Sequence, residues 1–414
     1  MSLSIAAQNL AQAAWNRAAK LCRRGAHWAR RRGKEARESG KHVRAQARRG
    51  GERGRDLAIG RYASLVRTSR YWNRLRLRTW PAVVRDVSVR RTLRSVASGS
   101  APILVGPWLS EVGYETLYWV PFVRWFARHY RIDPARLIAV SRGGVSAWYG
   151  GIASTYVEQF DLCSPAEFAA HNEARQRQGD QKQFATNAFE KELLARARAR
   201  LGLDDAHVCH PSAMFGLLRQ FWLGNEALQS VFDCTEYAPV TTVAEVELPP
   251  LPDRFVAVKF YTGRALPDSP RHRERLRAIV EQIGRTSPVV TLNTHVAFDE
   301  HEDYVFKNVP GVITLDRWMT PQNNLGVQTE VIRRASRFVG TCGSLAWLAP
   351  MLGTDTLAVY ADDHFLTSHL YAARHAYASI KAARFTPLDL AAFDLVSSGL
   401  PAAAAEQREP VKLQ

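Results

Sequence analysis

The alternation of short apolar runs with helix-like segments after Ala101 is the feature that most constrains the fold of this chain. APILVG and LIAVS, residues 101–106 and 137–141, have the pattern of short buried strands. Residues 115–130 between them carry apolar side chains at helical spacing and predict a helix broken or kinked near Pro121. Residues 185–203 predict another helix, and a further one begins near Ser212. Strands and helices in this order predict a mostly parallel sheet with helices on both faces.

A proline-rich segment divides this pattern in two. VELPPLPD, residues 246–253, holds three prolines in eight residues and predicts a stiff, extended connection. The alternation then restarts, with helices predicted over 271–283, 325–335 and 344–352 among the strands RFVAVKF, PVVTLNT, GVITLD, RFVGT and TLAVY. We therefore expect an α/β protein of two Rossmann-like domains facing a cleft, residues 100–245 and 246–390. The tail, residues 391–414, is expected to be disordered.

Residues 1–99 form a strongly basic arm, which we expect to be partly helical or disordered and not part of the paired domains. They hold 25 of the 56 Lys and Arg residues but only 5 of the 39 Asp and Glu residues, which leaves 31 basic and 34 acidic residues in the rest. Glycines interrupt the densest basic run, residues 29–55, and little there could form a core. The pI of about 10.0 therefore describes the arm and not the body.

The end of the arm, residues 62–80, interleaves aromatic and aliphatic residues with arginines. This pattern suits an anionic membrane surface, where rings lie at headgroup depth and arginines face the lipid phosphates. A helix packed on the flank of the protein itself explains the same pattern, and the sequence leaves both open. Nucleic-acid binding through the arm is a third, less favoured interpretation, because no motif that reads bases is present.

The sequence also indicates the cell compartment. No stretch approaches the roughly 18 apolar residues of a membrane span, and the N-terminus lacks a secretory signal. The five cysteines are scattered without a zinc-site spacing, so we expect reduced thiols. These features predict a cytoplasmic protein, peripheral at the cytosolic membrane face if the arm binds lipid.

The strongest functional motif is RFVGTCGSLAWLAPMLGTDTLAVY, residues 337–360. A buried strand ends in small residues and a helix follows at once. Small side chains at Gly340, Thr341, Gly343 and Ser344 let a phosphate approach the backbone, where the start of a helix offers unpaired N–H groups. A tight strand-to-helix turn without a ligand is the plainer explanation. The carboxyl end of a parallel strand favours a diphosphate site.

This stretch resembles the donor-side motif of GT-B glycosyltransferases, including the heptosyltransferase and fucosyltransferase-like branches, and the order of elements is similar across residues 101–390. The full consensus of no single branch is matched. The resemblance implies metal-independent transfer of a sugar from a nucleotide-sugar donor to a saccharide or lipid-linked acceptor, without a further cofactor. It also implies that Lys259 or Arg264, after the first strand of the second domain, stabilises the leaving diphosphate.

Other donor contacts are expected at strand ends of the second domain. Tyr261 lies in the same loop as Lys259 and Arg264, and Asn293 and His295 end the strand PVVTLNT. A fixed cation near the leaving diphosphate has an independent physical reason, since negative charge builds there as the bond breaks.

The acceptor site is expected in the first domain, in the loop ILVGPWLSEVGYE. Glu111 is the candidate base that takes the proton of the acceptor hydroxyl, with its pKa raised by a closed cleft. Charge complementarity to the helix N-terminus explains an acidic residue there equally well, and Glu115 is expected to be structural. Candidate acceptor contacts are Gly106, Ser110, Gly113 and Arg142.

Metal binding is not favoured by the sequence. His207 and His210 flank Cys209, and His295 and His301 lie near acidic residues, but these spacings match no zinc template. Beside the nucleic-acid interpretation, a sugar-nucleotide-binding protein or an epimerase of the same two-domain build remains an alternative to a transferase.

Overall fold

The structure is a computed structural model, and it describes residues 85–178, 182–296, 301–306 and 309–391. The predictions for residues 1–84 and for the tail beyond residue 391 lie outside these ranges. Apart from Arg85, the first residue of the first helix described, all that follows belongs to the unit Asp86–Gln414.

Two separate parallel sheets define the fold. In the first lobe, β1 (Ile103–Val105), β2 (Leu137–Ser141), β3 (Thr155–Glu158) and β4 (His207–Cys209) pair in the order β3-β2-β1-β4. The second lobe pairs six strands in the order β10-β9-β8-β5-β6-β7: β5 (Val256–Lys259), β6 (Val289–Thr291), β7 (Val312–Thr314), β8 (Arg337–Thr341), β9 (Thr356–Tyr360) and β10 (Phe385–Asp389). The predicted fold class, two Rossmann-like domains facing a cleft, is confirmed.

Helices cover both sheets. The first lobe has α1 (85–97), α2 (112–129), α3 (Pro165–Arg177), α4 (Ala188–Leu201), α5 (Ser212–Trp222) and the short α6 (Gln229–Phe232). The second lobe has α7 (Pro270–Gly284), α8 (Asn324–Arg334), α9 (Leu345–Leu348, continued by a 3-10 turn to Leu352) and α10 (Thr367–Ile380). Residues 246–253 have no regular secondary structure, as the prolines predict.

Helix α1 corrects the expected boundary of the basic arm. Its Leu93 is buried in the core of the first lobe, the guanidinium of Arg90 lies over the ring of Trp125, and Arg136 donates to the carbonyl of Ala97. The sequence prediction placed these residues in the arm because of their arginines. The apolar face of the helix packs on the lobe instead, so the body begins well before residue 100.

Helix α2 continues past Pro121, where a break or kink was predicted. A π-helical segment, Glu115–Trp119, lies just before this proline and joins two α-helical parts. Pro121 has no N–H to offer the carbonyl of Leu117, and the hydroxyl of Tyr237 donates to that carbonyl at 2.9 Å. A side chain from another segment thus satisfies the acceptor that the proline leaves unpaired.

The strand orders place a crevice in each sheet. β5 and β8 are neighbours at the centre of the second sheet, although β6 and β7 come between them in sequence. After β5 the chain continues toward β6 on one side of the sheet centre, and after β8 it continues toward β9 on the other side. The loops that follow β5 and β8 therefore diverge from each other. Ligands of open α/β sheets bind at such positions, outside the carboxyl ends of the strands.

Helix α8 joins the two lobes. Nine of its residues are buried, and its Gly326 amide donates to the carbonyl of Gly143 in the first lobe at 2.8 Å. The indole N–H of Trp148 donates to the hydroxyl of Thr329 at 3.0 Å. These contacts fix the first lobe against the second and leave a cavity beside them.

Candidate functional site

A cavity of about 990 Å³ lies between the lobes. Its wall includes the loops after β5 and β8 in the second lobe and the loop after β1 in the first. Among the described residues, cationic side chains on this wall outnumber carboxylates by five to three: Arg142, Arg175, Lys182, Lys259 and Arg264 against Glu111, Glu302 and Asp303. The site therefore favours an anionic ligand.

The loop after β1 begins with a tightly packed backbone turn. The Gly106–Pro107 peptide bond is cis, and Gly106 has φ +130°, where a Cβ would lie 2.4 Å from the Val140 carbonyl oxygen. The predicted acceptor contact Gly106 thus lies in a backbone turn and does not line the cavity.

Two other predicted acceptor residues, Ser110 and Arg142, do line the cavity, and both are buried. Arg142 donates to the carbonyls of Trp108 (3.3 Å) and Ser110 (3.2 Å), and its guanidinium lies over the ring of Phe168. The hydroxyl of Ser110 donates to Oε1 of Gln183. Arg142 therefore supports the loop and adds positive charge to this wall.

Glu111 lines the cavity and forms an ion pair that the sequence did not predict. Nζ of Lys182 lies 2.9 Å from its Oε1. Burial raises the pKa of Glu111, but the Lys182 ammonium, with smaller contributions from His301 and His369, more than offsets burial and holds the pKa below its ordinary value. The expectation of a raised pKa for this carboxyl was therefore wrong, because the cleft supplies a cation together with the apolar surroundings.

Glu115, one turn further along α2, is fully buried and does not line the cavity. The hydroxyls of Ser141 (2.5 Å) and Tyr149 (2.8 Å) both donate to its Oε1. Burial raises its pKa to about 7, against the opposing charge of Arg142. Its position is that of a structural carboxyl, as the sequence predicted.

Gly113 brings the two lobes together. A Cβ on this residue would lie 2.9 Å from the amide nitrogen of Ser344 and 3.2 Å from Cδ1 of Trp347. The predicted acceptor loop and the predicted diphosphate turn therefore touch at the floor of the cavity.

The turn after β8 lines the cavity from Thr341 to Ser344, whereas Gly340 lies within the strand and is not on the wall. Thr341 Oγ1 accepts from the amide of Tyr261 at 2.9 Å and donates to its carbonyl at 3.0 Å, which joins the loops after β5 and β8. Gly343 has φ +144°, and a Cβ there would lie 2.6 Å from the Tyr261 hydroxyl. Only glycine fits this turn without strain.

Ser344 adopts φ +42° and ψ −119°, a conformation that side chains other than glycine rarely take. Within the described residues, neither its amide nor that of Gly343 donates to a protein acceptor. Both residues line the cavity.

The two predicted cations differ in their surroundings: Lys259 is buried and paired with protein groups, whereas Arg264 is exposed. Lys259 is 8% exposed, and its Nζ donates to Oδ2 of Asp303 (2.7 Å) and to the carbonyl of Leu292 (3.0 Å). Arg264 lies over the ring of Phe365, which is 50% exposed, and both line the cavity. Arg264 is therefore better placed to meet a ligand than Lys259.

Two predicted donor contacts lie off the wall. Asn293 Nδ2 donates to the carbonyl of Tyr304, and its buried Oδ1 has no partner among the described residues. The side chain of His295 is 83% exposed and pairs with Asp316 at 2.8 Å. Both residues follow the end of β6, but this loop lines the cavity through Thr294 and Val296 and not through the two predicted residues.

The sequence missed a set of side chains that join the lobes. His369 of α10 hydrogen-bonds through one ring nitrogen to the Tyr118 hydroxyl (2.7 Å) and through the other to the Tyr114 hydroxyl (3.3 Å). Burial, aided by the charge of Lys182, lowers the pKa of His369 to about 4, so the ring is neutral near pH 7. These residues and Lys182 come from segments that are far apart in sequence, so no local motif predicts them.

The histidines around Cys209 serve structure. Cys209 is a buried free thiol in β4, and His210 accepts from the amide of Ser212 while lying near Glu190. No cluster of three or more His, Cys, Asp or Glu side chains suited to a metal occurs in the described part of the chain.

Within those same residues, none of the helices has the length and apolar character that a bilayer crossing requires.

No protein-family model and no curated protein sequence matches the chain. Solved structures resemble it in fold. The glycosyl transferase family 9 protein from Veillonella parvula is 11% identical with a TM-score of 0.40, over 73% of this chain and 90% of that one. E. coli heptosyltransferase WaaC with ADP is 14% identical with a TM-score of 0.34, over 64% and 90%. The glycosyltransferase TibC from enterotoxigenic E. coli is 11% identical with a TM-score of 0.33, over 63% and 58%.

The fold assignment itself rests on the two parallel sheets and their strand orders. What the cavity does is argued below from its own residues.

Proposed function

We propose that this protein is a glycosyltransferase that moves a sugar from a nucleotide-activated donor to a saccharide or lipid-linked acceptor. The observation that carries the proposal is the cavity between two Rossmann-like lobes, with cationic side chains in excess and a wall from each lobe. Such a site can hold an anionic donor against one lobe and an acceptor against the other.

The donor diphosphate would lie in the second lobe, at the crevice between β5 and β8. The amides of Gly343 and Ser344 offer donors there, and Arg264 offers a charge. Departure of a nucleoside diphosphate builds negative charge, which a fixed cation stabilises in the transition state. The exposed ring of Phe365 beside Arg264 would add an apolar surface for a base or sugar face.

The acceptor would lie against the first lobe, beside Glu111, Ser110 and Gly113. Glu111 is the carboxylate on this wall that can take the proton of an acceptor hydroxyl. We expect turnover without a divalent metal, because Arg264 and the turn amides would take the role of a cation at the diphosphate.

The test is release of nucleoside diphosphate from a panel of nucleotide sugars, with and without candidate acceptors and with a chelator present. Arg264→Ala should lower kcat/KM by about 10- to 100-fold, because it removes a charge–charge contact to the leaving group. Arg334→Ala, at an exposed position of α8 away from the cavity, is the matched control.

No release with any donor would contradict the proposal, and equal loss in both arginine variants would remove Arg264 from the site. Appearance of an epimerised sugar nucleotide would instead support the alternative without an acceptor. Lys259→Ala is a poorer test than the sequence implied, because it leaves Asp303 without its ion-pair partner.

Membrane association belongs to this proposal as well. The part of the basic arm that precedes helix α1, residues 1–84, would hold the protein at the cytosolic face of an anionic membrane and close to a lipid-linked acceptor. Co-sedimentation of the full chain with anionic and neutral vesicles tests this. Binding to RNA or DNA without binding to vesicles would contradict it.

A further inference from the structure

Lys182 lies outside every motif that pointed to the site, yet it is on the cavity wall. Its ammonium is held on two sides. Nζ is 2.9 Å from Oε1 of Glu111 and 3.4 Å from the centroid of the Tyr114 ring. A lysine side chain has many rotamers, so contacts with both a carboxylate and a ring face fix it in one place.

We infer that Lys182 is a positioning residue that holds the Glu111 carboxylate ionised and directed at the acceptor hydroxyl. The inference rests on the proposed function, in which Glu111 is the base. In that step the acceptor oxygen bonds to the anomeric carbon and its proton passes to Glu111. The bond from the anomeric carbon to the diphosphate oxygen breaks, and the electron pair leaves with the diphosphate. Lys182 transfers no proton.

Among the described residues, Lys182 is the cation that forms an ion pair with Glu111, at 2.9 Å. Burial would raise the pKa of Glu111, and Lys182 is the largest opposing influence, ahead of His301 and His369. His369 is already held by the two tyrosine hydroxyls. Loss of Lys182 would therefore remove the largest influence that keeps this carboxyl ionised.

The pKa of Lys182 itself lies below its ordinary value. Desolvation lowers it most, the charges of Arg264 and Arg175 lower it further, and Glu111 opposes this lowering. Lys182 keeps its proton because the carboxylate is there, and the carboxylate stays ionised because of Lys182. Each partner thus depends on the other.

The experiment compares full-length wild-type protein with Lys182→Met, Lys182→Arg and a control, Lys191→Met, at an exposed position of α4. The acid limb of kcat/KM against pH should move upward by about one to three pH units in Lys182→Met, because an opposite charge at this distance lowers a carboxyl pKa by that much. Lys182→Arg should restore the limb toward its wild-type position, and Lys191→Met should leave it in place. A lysine that only supports the fold would lower activity without moving the limb.

A second readout does not need turnover. Protein labelled with ¹³C at the glutamate side-chain carboxyl carbon is titrated by NMR, and Glu111→Gln identifies the Glu111 signal. Its midpoint should move upward by about one to three units in Lys182→Met and remain low in Lys182→Arg. Should Lys182→Met fail to fold, Lys182→Gln takes its place.

The two readouts separate the two claims. A Glu111 signal whose midpoint is the same in wild type and Lys182→Met overturns the inference. A moved midpoint in a protein that releases nucleoside diphosphate from no donor supports the pair and contradicts the proposed function.

Discussion

Glu115 shows how a single buried carboxyl makes stability depend on pH. Its folded-state pKa of about 7 lies above the ordinary value of 4.5, because burial outweighs the charge of Arg142 and the hydroxyls of Ser141 and Tyr149. A raised carboxyl pKa means that the folded state binds the proton more tightly than the unfolded state does. The contribution to stability is therefore complete below about pH 4.5 and is lost as the pH rises through 7.

We expect Glu115→Gln to remove this dependence. A shift of this size corresponds to roughly 3 kcal/mol. The unfolding free energy of the variant minus that of wild type should therefore be larger at pH 8 than at pH 4.5, by up to this amount. Urea unfolding at intervals between these pH values measures it. Glu173→Gln, at an exposed position of α3, is the control, and parallel curves for wild type and Glu115→Gln would contradict the assignment.

At the scale of elements, the sequence predicted the central strands best. RFVGT and TLAVY coincide with β8 and β9, because each is a continuous apolar run that ends at small residues or a turn. The missed strands β3, β4 and β10 all lie at sheet edges. TYVE, HVC and FTPLD carry polar residues or a proline, which an edge strand tolerates and a periodicity search rejects.

In the site, residues that are contiguous in sequence were predicted, and residues from distant segments were not. The turn Thr341–Ser344 was predicted because strand, turn and helix are contiguous. Lys182 was not, since it lies between α3 and α4 and meets Glu111 across 71 residues of sequence. Local patterns predict where a ligand loop lies but not which distant side chain reaches it.

The strained turn between β8 and α9 yields a prediction at this scale. Ser344 has positive φ, which costs about 1–3 kcal/mol for a residue with a Cβ, and glycine would relieve it. We expect Ser344→Gly to gain about 1 kcal/mol in stability and yet to raise the donor KM, if the hydroxyl contacts the diphosphate. Thermal unfolding and donor kinetics measure the two effects.

Ser379→Gly, in helix α10, is the control and should lose stability because glycine weakens a helix. A Ser344→Gly variant that is less stable than wild type would mean that the turn is not strained in solution. A donor KM equal to that of wild type would exclude a binding role for the hydroxyl.

In the whole molecule, the position of each lobe against the other decides whether Glu111 can serve a donor held by the second lobe. Helix α8 fixes one side of the contact, through Gly326 and Thr329. His369 joins the other side, through Tyr114 and Tyr118. Between them Gly113 lies against Ser344, so the acceptor loop and the diphosphate turn are in contact where the chemistry is proposed.

Gly113→Ala tests whether this contact exists in solution. The new Cβ would lie 2.9 Å from the backbone nitrogen of Ser344, which cannot move as a flexible side chain does. We expect a loss of about 1–3 kcal/mol in stability, as for other overpacked contacts, together with a fall in kcat/KM because the base moves away from the donor. Gly284→Ala is the matched control, since its φ is not positive and its Cβ would meet only the Pro310 carbonyl oxygen, at 3.6 Å. If Gly113→Ala is as stable and active as this control, the lobes stand further apart in solution, and the acceptor loop must reach the donor by a closing motion.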